Sequence, residues 1–152
     1  LPKAGLFKVR LIYGPKVESV EAAPYQAKKP RTLELVLADR IDYGHKYLDR
    51  MALNDLKAKS QADDIIMVQE GLVTDSTIAN LVFENKDGLF TPLKCLLPGV
   101  KREALLKSGQ ILPKTIKVTD LSQYSKVFLI NAMIDLEDEV CVSNENIIPG
   151  EL

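Results

Sequence analysis

The sequence predicts an α+β fold. Three observations carry that expectation: β-rich alternating segments crowd the first third, short strand candidates bounded by turn residues recur to the end, and only two or three helices accompany them. No repeat and no low-complexity tract interrupts the pattern.

Leu6 to Tyr13 (LFKVRLIY) alternates apolar and polar residues, and Val17 to Pro24 returns as its hairpin partner across Tyr13-Gly14-Pro15. Thr32 to Ala38 (TLELVLA) is a third strand. The period then changes. From Tyr47 to Ala62, Leu48, Met51, Ala52, Leu56 and Ala58 recur at helical spacing, which predicts an amphipathic helix. Ile65 to Val68 is a short buried strand, and Glu70-Gly71 turns the chain into Val73 to Phe83. That stretch, VTDSTIANLVF, reads as a strand interrupted by Asp75, Ser76, Thr77 and Asn80, residues that favour turns and caps. Asn85 to Gly88 (NKDG) is a hairpin signal before Leu89-Phe90-Thr91. Leu97-Pro98-Gly99 ends an extended piece, Val100 to Ser108 is helical, and Gly109 stops it. Ile116 to Val118 and Val127 to Ile130 complete the expected strands.

Composition narrows the function. The chain has 152 residues, 46% hydrophobic and 27% charged, enough for one domain with its own core. A net charge of −1, with cations scattered among acids, offers no footprint for nucleic acid or an anionic membrane. No apolar run approaches the ~20 residues of a membrane helix. No secretory leader is expected at the start, and Cys95 and Cys141 suggest reduced thiols in the cytoplasm rather than a disulfide framework. The chain opens on Leu1 rather than Met, so a processed or truncated product is expected. His45 is the only histidine, which disfavours His-rich metal sites and, without a G-x-S-x-G elbow, a serine triad. Neither a G-x-G-x-x-G loop nor a P-loop is present. Glu137-Asp138-Glu139 reads as a solvated charge run.

Three features point towards chemistry, each with a plainer reading beside it. Leu97-Pro98-Gly99 precedes a helix, so the amides of Val100 and Lys101 would face outward where a phosphate is welcome; an ordinary loop-to-helix junction has the same sequence. Asn131-Ala132 ends an apolar strand in a side-chain amide, either an anion donor or a turn residue. Lys46 follows Tyr43-Gly44-His45 at the approach to the helix, where a surface lysine is the default.

The order of these pieces adds information. Lys46-x-x-Asp49-Arg50, Asp64, Gly71-Leu72-Val73-Thr74-Asp75, Ala79-Asn80-Leu81, Phe90-Thr91-Pro92, Leu97-Pro98-Gly99-x-x-Arg102 and Ile130-Asn131-Ala132-Met133 follow one another. The succession resembles class IV, fold-type IV pyridoxal-phosphate enzymes, which include branched-chain and D-amino-acid aminotransferases and aminodeoxychorismate lyase. The resemblance covers roughly residues 40 to 135 and implies pyridoxal 5′-phosphate as cofactor, a small amino substrate and a homodimer. It implies two regions: 1–40, belonging to or leading from a small N-terminal domain, and 41–152, the cofactor-binding domain.

Carried over by position, Lys46 is implied to hold the cofactor aldehyde and to move protons at the substrate carbon. Asp75 stands where the family usually has glutamate, facing the pyridine nitrogen and keeping it protonated. Thr77 and Asn80 are implied as its hydrogen-bonding support, and Arg50 as a neighbour of the ring hydroxyl. Gly99, Val100 and Lys101 would hold the phosphate through the backbone, with Asn131 and Ala132 beside them. Arg10 and Arg40 do not lie in the motif of the family's phosphate-binding arginine. Arg50 after Asp49 and the Ile130–Met133 stretch look more like the lyase, which releases pyruvate to leave 4-aminobenzoate. A class IV aminotransferase is the alternative, and a truncated or degenerate, non-catalytic member is another.

Overall fold

The computed structural model describes residues 4–152; Leu1 lies outside them. β1 (Phe7–Tyr13) and β2 (Val17–Pro24) pair antiparallel as a hairpin that forms its own two-stranded sheet. Val9, Leu11 and Val20 share one face of it and stay exposed, so the hairpin buries little.

All other strands join one nine-stranded mixed sheet. β3 (Leu33–Leu37) runs parallel to β4 (Asp64–Gln69), because α1 (Met51–Ala58) carries the chain back between them. β5 (Leu72–Ser76), β6 (Asn80–Asn85) and β7 (Gly88–Pro92) follow as antiparallel neighbours. After α2 (Val100–Lys107), β8 (Leu112–Lys114) runs parallel beside β7. β9 (Lys126–Ile130) then inserts against β6. β10 (Cys141–Ser143) and β11 (Ile147–Ile148) close the two edges, giving the order β10-β9-β6-β5-β4-β3-β11. The larger sheet thus begins, in chain order, at β3.

Both faces of the central strands are buried, and alternation sorts their side chains. Ile66, Val68, Leu81, Phe83, Val127 and Leu129 enter one core with Tyr124. On the opposite, helical face, Ile65 and Met67 pack with Leu53 of α1, while Val82, Phe128 and Ile130 pack with Leu105 of α2. No helix among the described residues is long and apolar enough to cross a membrane.

Two expected elements change. The helix expected over Tyr47–Ala62 contracts to Met51–Ala58, because Asp49 Oδ1 accepts the amide of Met51 (2.9 Å) and holds residues 47–50 outside the helical turn. Leu48 and Met51 consequently remain exposed. Ile116–Val118 is not a strand: it makes one isolated bridge, Lys117 to Leu72, before Val118 opens a 3₁₀ turn whose Asp120 Oδ2 takes the Lys117 amide.

Candidate active site

The interrupted strand resolves into β5, a turn, and β6. Ile66 faces Ser76 and Val68 faces Val73, so Met67 alone opposes two residues, Thr74 and Asp75. This is a β-bulge, and its effect is directional. Val73 points into the first core, but the extra residue shifts the alternation and sends Asp75 to the helical face with Asn80, its cross-strand partner. Ser76 then organises the turn: its Oγ accepts the amides of Ile78 (3.3 Å) and Ala79 (3.1 Å). The polar residues of this segment therefore both make the turn and aim a carboxylate.

Asp75 is only 4% exposed. Its Oδ1 accepts from Asn80 Nδ2 (2.8 Å), and its Oδ2 accepts from the amides of Leu96 (2.8 Å) and Leu97 (3.0 Å). Burial nevertheless raises its pKa to about 6, against the opposing pull of those three donors and of Arg102. Arg102 is itself committed, donating to Thr91 Oγ1 (3.3 Å) and the Pro92 carbonyl (2.9 Å). Among the described residues no cation lies within ion-pair distance of Asp75.

Asn80 ties this carboxylate to the helix start. Its Nδ2 also donates to the Leu97 carbonyl (2.8 Å), and its Oδ1 lies so close to Gly99 that a Cβ there would overlap it. Gly99 is the N-cap of α2, no side chain caps that end, and the first amides, Val100 and Lys101, follow directly. The Lys101 side chain is paired with Asp135, so only its main chain is free for a ligand.

Asn131 spends its side chain inside the protein. Nδ2 donates to the Ile78 carbonyl (3.1 Å) and Oδ1 accepts the Met133 amide (2.8 Å), so it braces the end of β9 against the β5–β6 turn. Ala132 is exposed at the tip of the Asn131–Ile134 turn. On the other side, Thr77 Oγ1 donates to Asp64 Oδ1 (2.6 Å), and the Thr77 carbonyl accepts from the Arg50 guanidinium. Arg50 Nε and Asp64 Oδ2 are buried without partners. Lys46 sits in the loop between β3 and α1 with its side chain exposed. Crowding by protein atoms, then the positive charges of Lys8 and Arg50, hold its amine below the usual lysine value.

Two linked groups thus emerge: Asp75–Asn80–Gly99 at the helix start, and Arg50–Thr77–Asp64 beside it, joined through the turn that Asn131 braces. Residues 17–136 match the family described as amino-transferase class IV. This chain belongs to that family. A Haemophilus influenzae protein of uncharacterised function is 37% identical over 129 residues, 84% of this chain and 69% of that protein. A Schizosaccharomyces pombe protein provisionally named aminodeoxychorismate lyase is 30% identical over 118 residues, 73% of this chain and 50% of its own length. Among solved structures, a Haemophilus somnus protein provisionally named 4-amino-4-deoxychorismate lyase superposes with TM-score 0.82 and 38% identity, covering 86% of this chain and 68% of that one. A Mycobacterium tuberculosis protein described as a hypothetical aminotransferase and solved with pyridoxal phosphate shares the fold, with TM-score 0.62, 17% identity, and coverage of 75% of this chain and 50% of that one. The class IV chain here therefore spans between half and about two thirds of these relatives.

The donor set suits that cofactor. A buried carboxylate with three hydrogen bonds retains acceptor capacity, since an ionised carboxylate offers about four lone-pair sites, and a cationic ring nitrogen would supply the missing opposite charge. The uncapped helix start suits a phosphate.

Sequence reasoning passed over several participants. Asp64 stood in the motif succession without a role, although a carboxylate directly before a buried strand is a signal. The Leu96 and Leu97 amides carry no side-chain signature. Lys8 and Asp135 act through tertiary proximity alone.

Proposed function

We propose that this class IV protein is a pyridoxal-phosphate-dependent lyase of the 4-amino-4-deoxychorismate type, releasing pyruvate and 4-aminobenzoate. The observation that carries the cofactor half is Asp75, a buried carboxylate lacking an ion-pair partner, fixed beside an open helix start. The choice of lyase is supported by the 38% identity with the Haemophilus somnus protein so named.

When bound, pyridoxal phosphate supplies an aldehyde that takes up an amine and a ring that accepts electrons from the adjacent carbon. The residues divide the remaining work. Lys46 holds the aldehyde in the resting protein, and its lowered pKa enlarges the neutral fraction able to take a proton from the amine-bearing substrate carbon. As that C–H bond breaks, the neighbouring C–O bond breaks too. The departing enolate is protonated to pyruvate and the carbocycle becomes aromatic. Asp75 keeps the ring nitrogen protonated, and Asn80 holds Asp75. The Val100 and Lys101 amides take the phosphate, with Ala132 at its edge, while Asn131 fixes the turn carrying Thr77. Arg50, which also lines the neighbouring cleft, would be among the residues that hold the ring. A homodimer is part of the same reading and is measurable by light scattering.

Purified protein supplied with cofactor and 4-amino-4-deoxychorismate should form pyruvate and 4-aminobenzoate in equal amounts. Amino transfer to 2-oxoglutarate without either product would replace the lyase by an aminotransferase, the reaction after which the family is named.

A further inference from the structure

Next to Arg50 and Thr77 the surface opens into a cleft of about 670 Å3. Small-molecule sites commonly have volumes of about 300–1,000 Å3. Two separate chain segments bring cations to it: Lys28, Lys29 and Arg31 from the approach to β3, and Arg50 and Lys57 from the two ends of α1. None of the five belongs to an ion pair among the described residues.

The two acids in the cleft, Asp63 and Asp64, offset only part of this charge. Asp63 Oδ2 is occupied by the amides of Arg31 (2.7 Å) and Thr32 (3.2 Å), which lead in lowering its pKa together with a lesser contribution from the Arg31 charge. Asp64 gives Oδ1 to Thr77. Lys57 spends one donor on the Ala62 carbonyl (2.7 Å), and Arg50 one on the Thr77 carbonyl. Five cations against two engaged carboxylates leave an excess of positive potential inside a concavity, which concentrates anions. On a convex surface the same lysines would simply be solvated.

We propose that this cleft recognises a carboxylate of the substrate, with Arg31 and Lys28 as specificity-determining residues. The proposal rests on the lyase reading, which supplies the ligand class. Both products, pyruvate and 4-aminobenzoate, are carboxylic acids, so the substrate carries two carboxylates. One of them has to be held away from the reacting amine, and a planar carboxylate suits an arginine fork with a lysine beside it.

The test uses Lys28→Gln combined with Arg31→Gln, whose side chains are exposed and belong to no ion pair among the described residues. Calorimetric titration of the protein with 4-aminobenzoate, aniline, pyruvate and inorganic phosphate gives the readout. The double variant should bind 4-aminobenzoate at least about tenfold more weakly, a loss that raising salt from about 50 to about 500 mM reproduces in the unaltered protein. Aniline, which lacks the carboxylate, should show no difference. In turnover, KM should rise by about the same factor with kcat changed less than about threefold. No measurable 4-aminobenzoate binding by the unaltered protein, equal binding by the variant, or phosphate binding more tightly than either carboxylate would overturn the carboxylate assignment. Turnover with unaltered KM in the variant would refute the cleft and leave the lyase standing. Carboxylate binding weakened by the substitutions in a protein without lyase turnover would do the reverse.

Discussion

The acidic and the basic poles of the candidate site are built in opposite ways. Asp75 lies within a sheet, almost wholly buried, with three N–H donors on its oxygens. Lys46 lies in a loop, exposed, under the influence of two neighbouring positive charges. At the first pole, desolvation sets the protonation equilibrium and a bulge sets the direction. At the second, crowding and like charge loosen a proton without fixing the side chain. The comparison teaches that the acid is preorganised by the fold itself, whereas the amine depends on what it binds.

The largest expected effect falls on the loosely held pole. Lys46→Ala should reduce turnover by roughly 10³-fold or more, the range of a lost nucleophile and proton carrier. It should also abolish the cofactor adduct that borohydride fixes on the protein, detected by mass spectrometry. Because the residue is exposed, the thermal midpoint should change little. An adduct of undiminished yield would remove Lys46 from its role.

At the buried pole a substitution should alter stability as well as rate. Asp75→Asn is expected to slow turnover by about 100-fold through loss of the charge opposite the ring nitrogen. Its stability signature has a definite sign. The folded-state pKa of about 6 exceeds the ordinary aspartate value of 3.8, so folded protein binds more protons in that interval and stability falls as pH rises through it. The difference corresponds to about 3 kcal/mol of stability, present below pH 4 and lost by pH 7. Urea unfolding at several pH values should show this decline in the unaltered protein and a flatter profile in Asp75→Asn. Parallel profiles would mean that burial does not control Asp75.

The smallest effect tests the link between the acid and the helix start. Gly99→Ala places a methyl group against Asn80 Oδ1, while Asn80 Nδ2 is held by Asp75 and the Leu97 carbonyl. The overpacking should cost about 1–2 kcal/mol in unfolding free energy and weaken cofactor binding several-fold. Unchanged stability together with unchanged cofactor affinity would show that Asn80 yields freely.

Legibility followed the range of the forces involved. The hairpins at Glu70-Gly71 and Asn85–Gly88 were readable because turn chemistry is local; Glu70 and Gly71 both take positive φ, as a tight two-residue connection requires. α2 was readable from its spacing and the glycine that follows it. The contraction of α1 was not, because a single Asp49 contact outweighs several apolar residues at favourable intervals. Ile116–Val118 has strand-forming residues but lacks a neighbour beyond one bridge. The short edge strands β8, β10 and β11 exist only because a partner strand lies alongside them.

The sequence by itself determined the residue types of the candidate site, the turns and the order of the major elements, since these depend on bonds spanning a few residues. It also carried the class IV likeness, which residues 17–136 bear out. Only the tertiary structure decided where those residues point. A one-residue bulge turned Asp75 to the helical face, Ile78 absorbed the side chain of Asn131, and two separate segments gathered cations around one cleft. Register, desolvation and charge convergence arise between segments far apart in the chain, so no local pattern of residues encodes them.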